Sequence, residues 1–436
     1  MPNDTAAACV GLLENLKSLL LSPGFKSRHR RNKKDFTRKR CLTFVIIVVF
    51  LLNLIKRAMQ DELDEFFKLL NDEPVAVQMV TKSAFTQARK KLGYGAFVEL
   101  NQTQVAYFYD HFDPQTWCGF RLVAVDGSTS ELPRTPEIIE HFGVWHPAKG
   151  DPCPIARVSQ MFDVINQVTL DAIIVPKAMG ERALAALHFI LLRPGDLALL
   201  DRGYPAFWLF ALILDQSAHF CARMPRSGWL VVEKFVASGL AEQIVTLSPS
   251  YQSRKECLAR QLSTKPLTVR LIRVELDTGE VEVLATSLLD SVCFPVAVFK
   301  DLYHQRWPVE EDYKVMKSRI EIENFSGISV LAVYQDFHAK VFTKNLTSIL
   351  AYPAQQVVRR NSQDKKYVYQ VNMTNAFSKM KDTIVLLFQR TAILPILNRL
   401  WLVMTQVIEP IRPGRSYPRK KQVKRRRFPM TYKPIR

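Results

Sequence analysis

A chain of 436 residues exceeds what one hydrophobic core usually organises, so two or three domains are expected. With 48% hydrophobic and 23% charged residues it has the balance of a packed globular protein, which excludes a disordered chain. A formal net charge of +19 makes the molecule repel itself, a cost usually tolerated when the partner is a polyanion, and nucleic acid leads that class.

The N-terminal stretch MPNDTAAACVGLLENLKSLLL carries an acid early and no basic n-region, so a signal peptide is not expected. The positive charge is localised. The run KSRHRRNKKDFTRKR, Lys26 to Arg40, has one acid, and the tail from Arg412 to Arg436 has none. One such run could be a solvated segment, whereas two flanking a globular body point to phosphate contact with salt-sensitive affinity. The apolar stretch CLTFVIIVVFLLNLI, Cys41 to Ile55, is shorter than the roughly 20 residues a membrane helix needs and contains Asn53. It reads as a buried helix, and no membrane partner is expected. The cysteines, seven in number, are scattered and never form a CxxC pair, which argues against a disulfide framework or structural zinc and for a reducing cytoplasm. The histidines form no HExxH-like cluster.

From Thr5 to about Phe112 the apolar residues recur at three- and four-residue steps, so residues 1–115 are expected to form a helical DNA-binding domain. Within it, TKSAFTQARKKLGYGAFVELNQTQVAYFYDHF predicts two helices joined at Gly93 and Gly95, with Lys82, Arg89, Lys90 and Lys91 on or near the first. A helix-turn-helix and a plain antiparallel pair both fit. At Arg121 the texture changes to short β-rich runs. RLVAVDGS, ARVSQMFDVI and TLDAIIVPKA predict three strands, the last two joined around Asn166 and Gln167. A helix from Glu181 to Leu192 follows, then the nearly all-apolar strand DLALLDRGY, a helix from about Pro205 to Leu214, and a fifth strand HFCARMP. That is the order of a ribonuclease H-like α/β core with right-handed crossovers.

Residues 226–298 predict a β-rich insertion, with a hairpin turn at Asp277, Thr278 and Gly279. The last core helix is expected from about Trp307 to Ile320, closing a catalytic domain of residues 116–325. Helices from Val330 to about Arg360 and from Met373 to Val407 fill a C-terminal region of residues 326–410, ahead of a basic tail, 411–436, disordered without DNA.

Asp126 and Asp201 each end an apolar strand, VAVD and LALLD, at the edge where open α/β sheets bind ligands. Either alone is well explained as a turn former. Together, on strands that neighbour each other in this order, they make a candidate metal pair. The stretch YHQRWPVEEDYKVMK, Tyr303 to Lys317, has Pro308 suited to a helix's first turn, with Glu310 near the start and Lys317 two turns on. Val309, Tyr313, Met316 and Ile320 form its buried stripe. The charges alone fit a solvated helix face equally well.

The spacing of Tyr303, Arg306, Glu310 and Lys317, Y-x2-R-x3-E-x6-K, resembles the YREK signature of the insertion-sequence-four family of DDE transposases. DGSTSELPRTPEIIEHFG, LLDRGYP, QDFHAKVFTKNL and the basic tail are similar to that family too, so the resemblance spans most of the chain. It implies a transposase that cleaves insertion-sequence ends and joins the 3′-hydroxyls to target DNA. Asp126, Asp201 and Glu310 would be its catalytic triad, and Tyr303, Arg306 and Lys317 would hold DNA phosphates. It further implies two Mg²⁺ ions, with Mn²⁺ as substitute, double-stranded DNA as partner, a homodimer on paired ends, and a hairpin intermediate. Three carboxylates suit such hard cations, and a two-metal site runs an in-line displacement without a separate general base. Glu311 is the rival ligand, turned away by the 100° rotation per residue. Trp229 or Trp307 could stack on a flipped base. The competing expectations are a related nuclease without strand transfer, a DNA-binding derivative without catalysis, and a basic membrane-attached protein.

Overall fold

The structure, a computed structural model, describes residues 3–146, 152–276 and 279–412. The predicted hairpin turn at Asp277 and Thr278 and the basic tail beyond Arg412 therefore lie outside the described residues.

The chain opens with six helices, α1 (Asn3–Leu21), α2 (Pro23–His29), α3 (Phe44–Leu52), α4 (Met59–Asn71), α5 (Lys82–Arg89) and α6 (Gly95–His111). The core then begins with β1 (Arg121–Glu131), α7 (Pro136–Phe142), β2 (Val144–Trp145), β3 (Cys153–Asp163) and β4 (Val168–Pro176). Next come α8 (Glu181–Phe189), β5 (Asp196–Leu200), α9 (Phe207–Asp215) and β6 (His219–Arg223). The insertion holds α10 (Leu230–Ser238), β7 (Glu242–Leu247), α11 (Tyr251–Ala259), β8 (Leu267–Glu275) and β9 (Val281–Thr286). After it follow α12 (Val298–His304), α13 (Pro308–Ser318), α14 (Val330–Arg360), β10 (Tyr369–Val371), α15 (Met373–Gln389), α16 (Leu394–Gln406) and β11 (Ile408–Pro410). The described residues divide into two compact units. One comprises those within Met1–Asp113, Ser130–Ile155 and Lys314–Arg436, and the other Pro114–Thr129 and Ala156–Tyr313.

The second unit is built on a mixed sheet. β4 pairs with β3, and from β3 the order runs β3-β1-β5-β6-β9-β8-β7. The run β4-β3-β1-β5-β6 is the strand order of a ribonuclease H-like core, as the sequence predicts. β5 is parallel to β1, with Leu122 beside Leu197 and Ala124 beside Leu199, and parallel to β6, with Leu200 beside Ala222. All five residues of β5 are buried, which is why it reads as a continuous apolar run. Its register against β1 is pinned at the start by Arg121, which forks two N–H groups onto Asp196 at 2.7 Å each. The β3–β4 turn is closed by Asp163, whose Oδ1 accepts from the backbone N–H groups of Ile165 and Asn166, with Gln167 at φ 56°. Leu122, Ala124, Leu197, Leu199, Cys221, Ile272, Leu284, Leu302 and Val309 share one buried core, so the insertion strands and the start of α13 pack with the central strands.

Two details differ from the sequence reading. The insertion is not only β: α10 and α11 lie within it, their short length and weak apolar periodicity masked by the strands around them. β1 runs on to Glu131, so Asp126 lies inside the strand. It lies beyond the last residue paired with β5, Ala124, and alongside β3, where Ser159 Oγ stands 3.5 Å from the Asp126 carbonyl.

The first unit is helical, and α14, 31 residues long, is its spine. The apolar stretch around Cys41–Ile55 becomes α3, a helix buried through Phe44–Leu52. Asn53, 2% exposed, is satisfied there: its side chain donates to Asp382 Oδ1 at 3.0 Å and accepts from the Asp382 N–H at 2.7 Å. Among the described residues no helix is long and apolar enough to cross a membrane. The QDFHAKVFTKNL segment forms a buried polar ridge on α14. Gln335 Nε2 donates to the carbonyls of Arg89 and Leu92, Lys340 Nζ to those of Glu321 and Asn324, and Thr343 Oγ1 to that of Leu52. Arg89, counted from sequence among the basic residues near the helix pair, is 4% exposed and committed inward, to Asp336 Oδ1 at 2.9 Å, Gln335 Oε1 at 2.9 Å and Ser326 Oγ at 2.8 Å.

Candidate active site

The site is assembled from two neighbouring strands and the start of one helix. Continuing the β1–β5 register past Ala124 and Leu199 sets Asp126 level with Asp201, the residue that follows Leu200 at the end of β5. The third acid comes from α13. Trp307 offers its carbonyl to the N–H of Glu310 at 3.0 Å, so the helix begins just before the acid, and an acid in the first turn suits the positive end of the helix dipole. The first turns of α13 are docked through three contacts. Val309 is fully buried in the core, Gln160 Nε2 donates to Asp312 Oδ2 at 3.0 Å, and the Tyr313 hydroxyl donates to the carbonyl of Asp126 at 2.8 Å.

Cationic groups thread between the acids. Arg306, 6% exposed, donates from Nη2 to Glu310 Oε1 at 2.5 Å. Arg223, at the end of β6, donates from Nε and Nη2 to Asp201 Oδ1 at 3.0 and 2.7 Å. Between the two arginines lies the ring of Tyr303, 5.9 Å from each guanidinium carbon, its hydroxyl 3.4 Å from Asp201 Oδ1. Glu311 is turned elsewhere, as one step of helical rotation requires, and its Oε1 accepts from Trp307 Nε1 at 3.1 Å.

The electrostatics bind these groups into one site. Burial pushes the Asp126 carboxyl up to about 6, and the charges of Glu310 and Asp201 push it the same way against the Gly127 N–H and Arg306. Burial also opposes the ionised form of Asp201, but the Arg202 N–H and the guanidinium groups of Arg223 and Arg306 outweigh it and hold that carboxyl below its ordinary value. Arg306 loses affinity for its proton through burial and regains more from Tyr303, Glu310 and Asp201, so it stays charged. Tyr303 is kept protonated chiefly by burial. Asp126, Asp201, Glu310, Tyr303 and Arg306 thus share one electrostatic environment. Lys317 lies two turns beyond Glu310 on α13, half-buried, among the residues assigned to the first unit. Trp229 is half-buried, its ring 6.3 Å from that of Phe210, and Trp307 is 42% exposed.

Divalent cations would be held by Asp126, Asp201 and Glu310. Among the described residues no three His, Cys, Asp or Glu side chains converge closely enough to hold an ion. The donor set nevertheless fits: three hard carboxylates, on rigid elements, whose mutual repulsion raises one of them and whose charge is offset by two guanidinium groups.

Several neighbours escaped the sequence reading. Arg223 carries no local signature beyond ending a strand, and Glu282, buried on β9 and accepting from Arg223 Nη1 at 2.5 Å, looks in an alternating strand like a solvent-facing acid. His188, fully buried, joins Asp171 Oδ2 at 2.7 Å and Ser159 Oγ at 2.9 Å. That Ser–His–Asp trio is no nucleophile, because Ser159 is 2% exposed and lies against the carbonyl of Asp126. It braces the strand that carries the acid.

The strand order defines a ribonuclease H-like core, with Asp126, Asp201 and Glu310 near one another on it. The model of the transposase DDE domain family matches residues 117–346, just over half of the chain, and the chain belongs to that family. It is similar to the transposase InsG for insertion sequence element IS4 of Escherichia coli K12, at 28% identity over 249 residues, 56% of this chain and 54% of that protein. It is also similar to the putative transposase InsZ of the same strain, at 26% identity over 183 residues, 41% of this chain and 58% of that one. The chain thus spans little more than half the length of these curated relatives. A solved structure of piggyBac transposase, a synaptic complex with hairpin DNA, aligns with a TM-score of 0.48 at 9% identity, covering 93% of this chain and 87% of that one.

Proposed function

We propose that the chain is a DNA transposase that cleaves the ends of an insertion element and joins the freed 3′-hydroxyls to target DNA. The observation that carries this reading is that Asp126 and Asp201 follow the paired stretches of the adjacent parallel strands β1 and β5, within the electrostatic reach of Glu310, in a chain of the DDE family. In this reading Asp126, Asp201 and Glu310 are the catalytic acids and the ligands of two Mg²⁺ ions, with Mn²⁺ as substitute. Ions bound there would activate the attacking water or 3′-hydroxyl and stabilise the leaving oxygen.

The chain's own residues do the rest. Arg306, charged, buried and paired with Glu310, carries a planar fork that suits a DNA phosphate. Tyr303, protonated and wedged between Arg223 and Arg306, donates its hydroxyl toward the cut strand. Lys317 supplies a point charge further along α13. The exposed run from Arg38 to Arg40 and the N-terminal helices, residues 1–115, bind the DNA flanking the cut. The enzyme works as a homodimer on paired ends, in the cytoplasm, where its cysteines remain free thiols.

The test is a plasmid carrying the element's own ends, incubated with the full chain and Mg²⁺, with the products resolved by size. Cut ends together with strands joined into target DNA are expected. Cleavage without any joined product would make the chain a nuclease. Binding without cleavage would make it a DNA-binding derivative.

A further inference from the structure

Two arms of Arg223 converge on one oxygen of Asp201. Arg223 Nε and Nη2 both donate to Oδ1, at 3.0 and 2.7 Å, and the Tyr303 hydroxyl lies 3.4 Å from that same atom. The grip differs from that of Arg121 on Asp196, whose fork spans both carboxylate oxygens. The remaining arm of Arg223, Nη1, donates to Glu282 Oε1 at 2.5 Å, and Arg202 Nη2 reaches the same Glu282 oxygen at 3.2 Å. The Glu282 side chain is 7% exposed, against 23% for Arg223 and 35% for Asp201, so the chain of contacts runs from a buried acid outward to the site. Glu282 stands on β9, the insertion strand that pairs with β6 and sets Arg223 beside Leu284.

We propose that Glu282 and Arg223 are positioning residues for Asp201: Glu282 fixes Arg223, Arg223 fixes Oδ1, and Oδ2 is presented to the divalent ion. This rests on the reading of Asp201 as a metal ligand. Two physical consequences follow. Asp201 keeps one orientation, because rotating it would break two hydrogen bonds at once. The charge of Arg223 is shared with Glu282, so it opposes the incoming cation less than a lone guanidinium would. Ligand carboxylates in metal sites are themselves held by hydrogen bonds, and losing such support costs roughly 10–100-fold in metal affinity. The insertion strand then has a role in the chemistry of the core it extends.

The test is calorimetric titration of the DNA-free full chain with Mn²⁺, alongside thermal melting to check folding. Glu282→Gln keeps the shape and removes the charge, and its Mn²⁺ affinity is expected to fall about tenfold. In an Arg223→Met background the same Glu282→Gln change is expected to add nothing, since Glu282 acts only through Arg223. A folded Glu282→Gln protein within twofold of the natural chain overturns the proposal, as does a full additional loss in the Arg223→Met background. If Glu282→Gln does not fold, Glu282→Asp, which keeps the charge but shortens the reach, is read against the same tenfold. Asp201→Ala separates the two levels. Unchanged Mn²⁺ binding in Asp201→Ala overturns the ligand reading itself, whereas loss there with no change in Glu282→Gln overturns only the positioning role.

Discussion

Arg306 donates to Glu310 Oε1 at 2.5 Å from four residues before it, and its charge also acts on Asp126 and Asp201. One guanidinium therefore stands in, without metal, for part of the positive charge that three acids demand. Replacing it should separate binding from catalysis. Arg306→Ala is expected to leave Mn²⁺ affinity of the DNA-free chain undiminished, since a competitor for Glu310 has gone. Cleavage of an end-bearing plasmid should fall by about 100-fold, the scale of losing one fixed charge-stabilising donor. Arg306→Lys should recover only part of it, because an ammonium lacks the fork. Cleavage by Arg306→Ala within threefold of the natural chain would remove Arg306 from the reaction.

Asp126 links the site to stability. Its carboxyl is pushed up to about 6, against an ordinary value of 3.8, so the folded protein binds that proton more tightly than the unfolded chain. The contribution to stability is then full below pH 4, declines as pH rises through about 6, and is absent above, where the ionised acid is a burden. Asp126→Asn should accordingly stabilise the metal-free protein at pH 8 by about 3 kcal/mol and do nothing at pH 4. Urea denaturation at the two pH values measures this. A destabilised Asp126→Asn protein at pH 8 would contradict it.

The same carboxyl governs metal uptake, because a ligand must shed its proton before it binds. Mn²⁺ affinity should climb about tenfold per pH unit below pH 6 and level off above pH 7, read by calorimetry. A flat profile from pH 5 to 8 would mean that Asp126 takes no part.

Much of this architecture was legible in the sequence. The runs VAVD and LALLD are apolar because β1 and β5 are central strands, and Pro308 marks the start of α13 because a first-turn residue needs no N–H. What was hidden depended on partners distant in sequence. Glu282 is buried only because Arg223 and Arg202, 59 and 80 residues away, reach it from other elements. Arg89 sits in a basic run, yet Asp336 on α14 draws it inside. The helices α10 and α11 are too short to print a period against the strands beside them.

The inward turn of Arg89 carries its own consequence. Asp336→Ala would strand a buried guanidinium, and an unfolding free energy lower by about 3–5 kcal/mol is expected. The double change Arg89→Met with Asp336→Leu should recover most of it, as equilibrium urea unfolding would show. A loss below about 1 kcal/mol in the single variant would mean that the pair is solvated.

DNA contact by the exposed basic run is read from salt. Binding of end DNA should weaken linearly in log affinity against log salt, and Arg38→Gln with Lys39→Gln and Arg40→Gln should reduce that slope by about 2 to 3. An unchanged slope would place those side chains away from phosphate.

The account turns on three acids sharing ions, and the most direct measurement is the structure of the full chain on an uncleaved end with Mn²⁺, located by its anomalous scattering. An oxygen of each of Asp126, Asp201 and Glu310 is expected about 2 Å from an ion, with Arg306 moved off Glu310 onto a DNA phosphate. An ion bound without Glu310, that acid still paired with Arg306, would contradict the assignment.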